Sequence, residues 1–264
     1  MKIFLIVVGL FAAVPLCKGA LILSGTSYSQ NFDGIGGGSP TGWDVYTSAS
    51  SSSLGSVATF NTTISTWTET GKIASGGFWN VASADGLSSG SSSTAQNNST
   101  DRAIGFRQIA TGGFDPGAAV VLNVQNTAGL GNFALSLKIQ FLADNSRSTD
   151  LVLDYRIGDS GNFTSLGTYS DPNTFGSTTI SFNSSDLSGW NNQSSDIWFR
   201  IVALSASTGT GSRDTFGIDD FSLSYSPVPE PGTWGFIASL GLLAIGGLHS
   251  CRQKYEAEMR MRVE

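Results

Sequence analysis

The carboxylates of this chain are its best candidates for chemistry, with two of them adjacent at Asp219 and Asp220 and a third at Asp154. Two carboxylates that flank a sugar can hydrolyse a glycosidic bond when one of them has a raised pKa and acts as the acid. Neighbouring residues of a β-strand point to opposite faces, so Asp219 and Asp220 form no such pair unless a β-bulge intervenes. We therefore predict that one aspartate binds backbone or a cation while the other stays hydrated, and that the protein is not an enzyme.

Several other enzyme classes are excluded by the residues that the sequence lacks. The single histidine, His249, lies near the C-terminal end, and the two cysteines, Cys17 and Cys251, lie near the two ends. Residues 20–226 therefore cannot form a catalytic triad with histidine, a histidine zinc site, a disulfide or a thiol centre. The sequence also contains no glycine-rich loop with a P-loop lysine, so nothing indicates nucleotide binding.

Aromatic rings are a second source of binding chemistry, because an exposed tryptophan can stack on a sugar ring. Trp198 lies in a strongly apolar segment and is predicted to be in the core. Trp79, beside Asn80, and Trp190, beside Asn191-Asn192-Gln193, are the better candidates for sugar stacking. The tryptophans between the two ends of the chain are Trp43, Trp67, Trp79, Trp190 and Trp198.

Period-two alternation of apolar and polar residues predicts the strands that must position these side chains. The clearest strands are predicted at residues 133–141, 151–157, 120–124, 197–204 and 221–225. Weaker patterns predict strands at residues 28–32, 43–46, 104–109, 163–169 and 178–182. Many short strands without a βαβ pattern predict an all-β fold, a two-sheet β-sandwich of the jelly-roll type.

Gly/Ser-rich segments separate several of these strands, at residues 34–38, 48–53 and 87–93. Such low-complexity composition is typical of flexible loops, and we predict that these three segments are flexible.

The charge of the central segment restricts its partners. Residues 20–226 carry eight basic and sixteen acidic residues, a net charge of −8. A surface of this sign repels nucleic acid and anionic lipid, so no nucleic-acid partner is expected. Scarce Lys and Glu, with abundant Ser, Thr, Gly and Asn, favour strands and turns over helices.

The N-terminal residues have the pattern of a secretory signal peptide. Met1-Lys2 provides a charged start, residues 3–16 an apolar stretch, and Gly19 and Ala20 the small residues of a cleavage site. We predict a signal peptide at residues 1–20 and a β-sandwich domain at residues 21–226, with signal peptidase as a processing partner. A lipoprotein is the alternative, but bulky Leu16 precedes Cys17 where lipoprotein processing requires a small residue.

The C-terminal residues have the pattern of a targeting signal. A proline-rich motif precedes an apolar run at residues 234–248, and basic residues at Arg252 and Lys254 follow the run. The run is long enough for about 22 Å of helix, which is shorter than a membrane core of about 30 Å. With help from the flanking residues we predict a transient transmembrane anchor, with Arg252 and Lys254 as the stop-transfer charges and residues 255–264 as a cytoplasmic tail.

This C-terminal pattern, residues 227–254, resembles the PEP-CTERM sorting signal of Gram-negative bacteria. The resemblance is carried by Pro229, Glu230, Pro231, Thr233 and Trp234, immediately before the apolar run. It implies export, processing by the membrane enzyme exosortase, and delivery to the cell surface or extracellular matrix. Family tails usually stop after a few basic residues, whereas this chain continues to Glu264 with residues of mixed charge.

Two short segments resemble the first and last strands of concanavalin-type, MAM-like jelly rolls, in which a strand with two aspartates pairs beside the N-terminal strand. The segments are residues 31–34 and residues 216–223. By analogy with sugar-binding jelly rolls, a structural Ca²⁺ would bind near these strands, with Asp33 and Asp219 as candidate ligands. The resemblance otherwise supports the fold and names no activity.

These patterns support two functions of different kinds. The first is a structural or adhesive protein of the cell surface or of an extracellular polysaccharide matrix. The second is a carbohydrate-binding module with aromatic rings and a structural calcium. A glycoside hydrolase with a carboxylate pair is a distant third hypothesis.

Overall fold

The computed structural model describes residues 19–68 and 70–228. The predicted signal peptide, the sorting motif, the apolar span and the tail lie wholly or almost wholly outside the described residues. No helix within the described ranges is long and apolar enough to span a membrane.

The described residues form an all-β fold with two large sheets, as the alternation in the sequence predicts. The fifteen strands are β1 Ser27–Gln30, β2 Trp43–Thr47, β3 Ser56–Val57, β4 Phe60–Ser65, β5 Gly77–Ala82, β6 Arg102–Arg107, β7 Ala119–Val124, β8 Leu130–Ala143, β9 Arg147–Ser148, β10 Leu151–Ile157, β11 Thr164–Tyr169, β12 Gly176–Phe182, β13 Ile197–Val202, β14 Thr208–Gly209 and β15 Thr215–Pro227. One short helix, α1 (Ser93–Asn98), and three 3₁₀ turns (Ile35–Gly37, Lys72–Ser75 and Ser188–Trp190) complete the secondary structure of these residues.

Sheet I contains seven strands in the order β12-β8-β15-β6-β5-β4, with β1 also paired to β15. Sheet II contains six strands in the order β11-β10-β13-β7-β2-β3, and β9 and β14 form a separate two-stranded ribbon. All pairs are antiparallel except β4 with β5, which is parallel. The strong patterns in the sequence predicted β7, β8, β10, β13 and the end of β15, whereas β3, β4 and β5 were not predicted.

The core lies between the two sheets and contains the inward-facing residues of both. Trp43 of sheet II illustrates the packing, since its ring contacts Phe32 edge-on at a centroid distance of 5.0 Å and Phe221 at 5.1 Å. Its indole N–H donates to the Tyr28 hydroxyl at 3.0 Å, so the one polar atom of this buried side chain is satisfied.

Strand β15 changes its partner halfway along its length. Its first residues, Thr215 to Ile218, pair with β6, and its residues from Phe221 to Ser224 pair with β1. A β-bulge at the junction inserts an extra residue relative to β8, and Asp220 adopts a positive φ of 46°. The last strand therefore lies beside the N-terminal strand, but residues 31–34, which carried the resemblance to a first strand, follow β1 and are not part of it.

This bulge corrects the predicted alternation along β15. Without it, Asp219 would share a face with Phe221, Leu223 and Tyr225, as period two requires. The extra residue reverses the alternation, so those three residues lie in the core between the sheets whereas Asp219 pairs with Lys138 and points to the outer face of sheet I. Asp219 and Asp220 consequently lie on the same side of the sheet.

The three Gly/Ser-rich segments, predicted to be flexible loops, contain local structure and contacts with the rest of the fold. Residues 34–38 form a 3₁₀ turn around the fully buried Ile35, and residues 87–93 lead into α1, where the Ser92 side chain accepts from the Ala95 N–H. Residues 48–53 lie against the outer face of sheet II, where the buried Arg200 donates to the Ser53 carbonyl at 2.9 Å and Arg156 to the Ser52 carbonyl at 3.0 Å. The contacts of residues 48–53 join them to distant strands, and composition alone does not reveal such contacts.

Candidate functional site

The outer face of sheet I carries the candidate site. Residues 66–68 and 70–75, before β5, and residues 83–99, after it, form a covering segment over this face, and with the sheet they enclose a second apolar cluster outside the main core. Its buried members are Trp67, Ile73, Val81, Ala82, Ala84, Ala103 and Leu142. Beside this covering segment a cleft remains open where β8 ends and β12 begins.

The cleft, which we call the outer cleft, has a volume of about 400 Å³. Its aromatic side consists of Trp67 and Phe175, whose ring centroids are 5.6 Å apart with an interplanar angle of 49°. The lining residues are Trp67, Thr68, Ser89, Leu142, Ala143, Asp144, Asn145, Asn173 and Phe175. The outer cleft thus combines two aromatic rings with amide, hydroxyl and carboxylate groups.

Helix α1 and the covering segment hold Trp67 in place. The fully buried Gln96 of α1 accepts the Trp67 backbone N–H through its Oε1 at 2.9 Å, and its Nε2 donates to the Ser91 carbonyl at 2.9 Å. Trp67 itself is 2% exposed, and its indole N–H has no acceptor among the described residues. An unsatisfied buried donor in a residue that lines a cleft is a place where a water or a ligand oxygen can bind.

Two aspartates lie behind the polar wall of the outer cleft. Asp214 is 2% exposed, and its side chain is hydrogen-bonded to the carboxyl of Asp171. Burial, followed by this contact, raises the pKa of Asp214 to about 8; the backbone N–H of Asn145 opposes the shift, and the charges of Asp171 and Asp144 add to it. One carboxyl of the pair is therefore protonated at neutral pH.

A separate polar network surrounds the bulge of β15 on the same outer face. Asp219 is fully buried; its Oδ2 accepts from Gln140 Nε2 at 3.1 Å and its Oδ1 accepts from the Asp220 backbone N–H at 2.7 Å. Burial is the largest cause that raises the pKa of Asp219 to about 7, and the charges of Asp220 and Asp101 add to it. Hydrogen bonds from Ser83 and from the Asp220 N–H oppose the shift.

Lys138 connects this network to the covering segment. Its Nζ is 2.5 Å from Asp85 Oδ2 and 2.7 Å from Asp220 Oδ2, and all three side chains are partly exposed. Burial opposes ionisation of Asp85, but hydrogen bonds from Lys138 and Ser177 outweigh it and hold the pKa of Asp85 below its ordinary value. Two carboxylates around one lysine form an ordinary surface ion-pair network, which fixes residue 85 to sheet I.

Asp33 and Asp219, the predicted calcium ligands, bind protein donors in the structure. Asp33 accepts from the Arg102 backbone N–H at 3.0 Å and from Asn31 Nδ2 at 2.6 Å. Among residues 19–68 and 70–228, no group of three or more His, Cys, Asp or Glu side chains is arranged to hold a metal ion. The donor sets of Asp33 and Asp219 are thus those of structural carboxylates, and nothing in them supports the calcium site.

The two candidate stacking residues do not line the outer cleft. Trp190 is fully buried and packs against Phe133 and Phe199 in the main core, so its prediction as a sugar-stacking residue is wrong. Trp79 lies partly buried on β5, where its indole N–H donates to the Gly76 carbonyl at 2.8 Å. Neighbouring asparagines predicted exposure for Trp190, but the 3₁₀ turn directs its ring inward.

Asp154, the third carboxylate considered for hydrolysis, belongs to sheet II. It forms an ion pair with the fully buried Arg200 through contacts of 2.6 and 3.0 Å. The Arg200 guanidinium also lies 3.5 Å from the centroid of the Phe163 ring. Asp154 is therefore distant in the fold from Asp219 and Asp220, and its role is to satisfy a buried arginine.

Residue patterns did not predict the members of the outer cleft. Trp67 was one of five tryptophans without a distinguishing neighbour, and Phe175 lies outside the predicted strands. Asn145 belongs to the polar turn after β8, and Asn173 to the turn before β12. Asparagines in these two turns can be predicted to lie close together only once the pairing of β8 with β12 is known.

Comparisons with known proteins give structural similarities only. No protein-family model matches the chain, and no curated protein matches it significantly. The chain is similar to the K1 cleaved adhesin domain of Lys-gingipain from Porphyromonas gingivalis W83, with 10% identity, a TM-score of 0.40, and coverage of 76% of this chain and 98% of that one. It is similar to the xylan-binding module CBM15, with 16% identity, a TM-score of 0.35, and coverage of 58% and 99%.

A third similarity is to the xylanase Xylanase10C from Cellvibrio japonicus, with 14% identity and a TM-score of 0.38. The aligned region covers 70% of this chain but 27% of the xylanase chain. These TM-scores are below 0.5 and the identities below 25%, so the similarities assign neither a ligand nor an activity to this chain.

Proposed function

We propose that the protein is an exported, non-catalytic carbohydrate-binding protein with an adhesive role at the cell surface. The observation that carries the proposal is the composition of the outer cleft, whose lining combines Trp67 and Phe175 with Asn145 and Asn173. The proposal places the binding of one glycan segment in this cleft.

The chemistry of the outer cleft matches that of a sugar ring. The C–H face of a pyranose packs on an aromatic ring, and its hydroxyls exchange hydrogen bonds with amides and carboxylates. Phe175 supplies a partly buried ring, and the Trp67 indole N–H supplies a donor without a protein acceptor. Asn145, Asn173, Thr68 and Ser89 supply neutral polar groups at the rim.

Charge restricts the class of glycan. The lining of the outer cleft contains one charged residue, Asp144, and no basic residue. Residues 20–226 also carry a net charge of −8. Uronic acid polymers would be repelled by this surface, so neutral polysaccharides are the proposed ligands.

Two other parts of the proposal concern the fold class of the sandwich and the cellular location of the protein. We assign the sandwich to the jelly-roll class, supported by the pairing of β1 with β15 at the end of the domain. Export and sorting by exosortase rest on residues 1–20 and 227–254, which lie almost entirely outside the described residues. Delivery to a polysaccharide matrix would give a glycan-binding domain its ligand.

Affinity electrophoresis and calorimetry with neutral glycans test the proposal. We expect binding to at least one of xylan, β-1,4-galactan and mixed-linkage β-glucan, and none to alginate, which is acidic. Phe175→Ala should weaken that binding by about tenfold or more, because it removes a ring from the outer cleft.

Phe182→Ala is the matched control. Phe182 is also a partly buried aromatic residue at an end of β12, but it lines a different cleft with Ser181 and Asn183. Its substitution should leave the affinity for the glycan unchanged. Equal losses for the two variants, or no binding to any neutral glycan, would contradict the proposal.

A further inference from the structure

The two asparagines of the outer cleft belong to different turns, and each is held by one member of an aspartate pair, the buried Asp214 and the partly buried Asp171. The Asn145 backbone N–H donates to Asp214 Oδ1 at 2.5 Å, and the Asn145 side chain donates to the Arg213 carbonyl at 2.8 Å. The Asn173 backbone N–H donates to Asp171 Oδ1 at 2.8 Å. The position of each asparagine therefore depends on the carboxyl beside it.

The two carboxyls are joined to each other. The Oδ1 atoms accept the backbone N–H groups, and both Oδ2 atoms are buried and receive no hydrogen bond from a nitrogen or hydroxyl donor of the described residues. The remaining hydrogen bond of the pair is the one between the Asp171 and Asp214 side chains. Two carboxyls can be hydrogen-bonded only if one of them carries a proton, because an ionised carboxylate has no donor and two neighbouring carboxylates repel each other.

We propose that Asp171 and Asp214 form a proton-dependent clasp that holds the two turns of the outer cleft together, so that loss of the shared proton opens the cleft. The clasp consists of the chain of contacts from Asn145 to Asp214, from Asp214 to Asp171 and from Asp171 to Asn173. Breaking the middle contact frees the wall that carries Asn173 from the wall that carries Asn145.

The groups around the pair favour a proton over a cation as the link. Asp144, on the turn with Asn145, adds negative charge, and the nearby Tyr169 has a raised pKa through burial, so its hydroxyl is neutral. The two basic residues of the adjoining strands point elsewhere. Arg213 binds Asp115 at 2.5 Å, and Arg147 donates to the Ser207 carbonyl at 2.9 Å and lies 3.5 Å from Asp115.

The direction of the effect follows from the protonation of Asp214. Its pKa of about 8 means that the clasp is closed at pH 6 and mostly open at pH 9. If the proposed function is correct, glycan affinity should fall by about fivefold or more over this range, a typical size for coupling between two sites.

Asp214→Asn tests the role of the proton, because it removes the titrating group and can keep the hydrogen bonds that hold the two turns. The asparagine Oδ1 can still accept from the Asn145 N–H, and its amide N–H₂ can donate to the Asp171 carboxylate without a titrating proton. This variant should bind glycan equally well at pH 6 and pH 9. Asp150→Asn, which removes an exposed carboxylate from the turn before β10, should behave as the wild type. Asp171→Asn is the second variant should Asp214→Asn fail to fold.

Acrylamide quenching of Trp67 gives a readout that needs no glycan. The Trp67 emission is obtained in the full chain by subtracting the emission of Trp67→Phe from that of the wild type. The same subtraction is made for the pair of proteins that also carry Asp214→Asn. Between pH 6 and pH 9, Trp67 quenching should increase in the wild type and stay constant in the Asp214→Asn background. If no glycan binds but quenching follows this pattern, the proposed function fails and the clasp stands. If quenching of the wild type does not change with pH, the clasp is wrong whether or not glycan binds.

Discussion

Asp219 is a residue whose buried position in the fold disfavours the ionised form of its carboxyl. It is fully buried, and its carboxyl receives hydrogen bonds from Gln140 and from the next backbone N–H. Burial outweighs these bonds and raises its pKa to about 7. The neutral carboxyl of Asp219 is therefore the more stable form below about pH 7.

The sign of the resulting pH dependence follows from linkage. The pKa of Asp219 is near 3.8 in the unfolded chain and about 7 in the folded protein, so the folded state binds the proton more tightly. The stabilisation that this proton provides is complete below pH 3.8 and is lost as the pH rises through 7. Asp85 and Asp115 have lowered pKa values, so the stabilisation that they provide is lost only as the pH falls below 3.8.

We predict that Asp219→Asn reduces the loss of stability between pH 5 and pH 8. The neutral amide removes a titrating group whose ionisation costs up to about 3 kcal/mol over this range. Urea unfolding at the two pH values measures the effect, with Asp150→Asn as the control. EDTA should not change the result, because Asp219 binds protein donors. An unchanged pH dependence in Asp219→Asn would contradict the raised pKa, and an EDTA response confined to the wild type would restore the calcium hypothesis.

At the scale of the element, the bulge in β15 decides which side chains enter the core. Five residues of β15 are in the main core, on both sides of the bulge, and they pack in the same cluster as the inward-facing residues of β8: Phe216, Ile218, Phe221, Leu223 and Tyr225. The inserted Asp220 allows this because it lets the strand restart its alternation on the inner face. Aspartate tolerates the positive φ required there.

Deletion of Asp220 should therefore abolish the native fold. The shorter strand would direct Phe221, Leu223 and Tyr225 outward, and each such side chain contributes about 1.5–3 kcal/mol when buried. Together they approach the total stability of a typical domain, about 5–15 kcal/mol. Near-ultraviolet circular dichroism and a thermal melt would show the loss of tertiary packing.

Asp220→Asn is the control for the deletion. It keeps the inserted residue and the tolerance for positive φ, and it removes only the charge that pairs with Lys138, a partly exposed contact worth about 1 kcal/mol or less. This variant should melt cooperatively near the wild-type temperature. A native-like melt of the deletion variant would show that β15 can shift its register freely.

At the scale of the whole molecule, the domain is tied together at both of its ends. The Leu21 N–H donates to the Asn123 carbonyl at 2.8 Å, and the Val228 N–H donates to the Gly129 carbonyl at 2.8 Å. The hydrogen-bonded fold thus extends from a few residues around the predicted signal cleavage site to the residue before the sorting motif. Segments that are removed from the two ends would leave this unit nearly intact.

We predict that the surface form of the protein lacks both ends. Intact-mass analysis of extracellular material should give a start at Ala20 or Leu21 and an end within residues 229–233, because signal peptidase and exosortase would cut there. Replacement of Pro229-Glu230-Pro231 by alanines should leave the protein in the membrane fraction. Recovery of extracellular protein that extends to Glu264 would contradict sorting by this motif.

The sequence by itself determined the all-β fold class and the positions of many strands along the chain. Alternation at period two reports which face of a strand is buried, and this local signal located β7, β8, β10 and β13 closely. The absence of histidine and cysteine from residues 20–226 also excluded several catalytic centres without any structure. These conclusions depend on residue type and local spacing, which tertiary contacts do not change.

Only the tertiary structure decided the candidate site. Trp67, Asn145, Asn173 and Phe175 come from three separate turns and loops, and they meet because β12 pairs with β8 and the covering segment lies over sheet I. The burial of Trp190, the protonated pair of Asp171 and Asp214, and the bulge at Asp220 have the same origin. Each depends on contacts between residues far apart in the chain, and periodicity carries no information about which distant residues will meet.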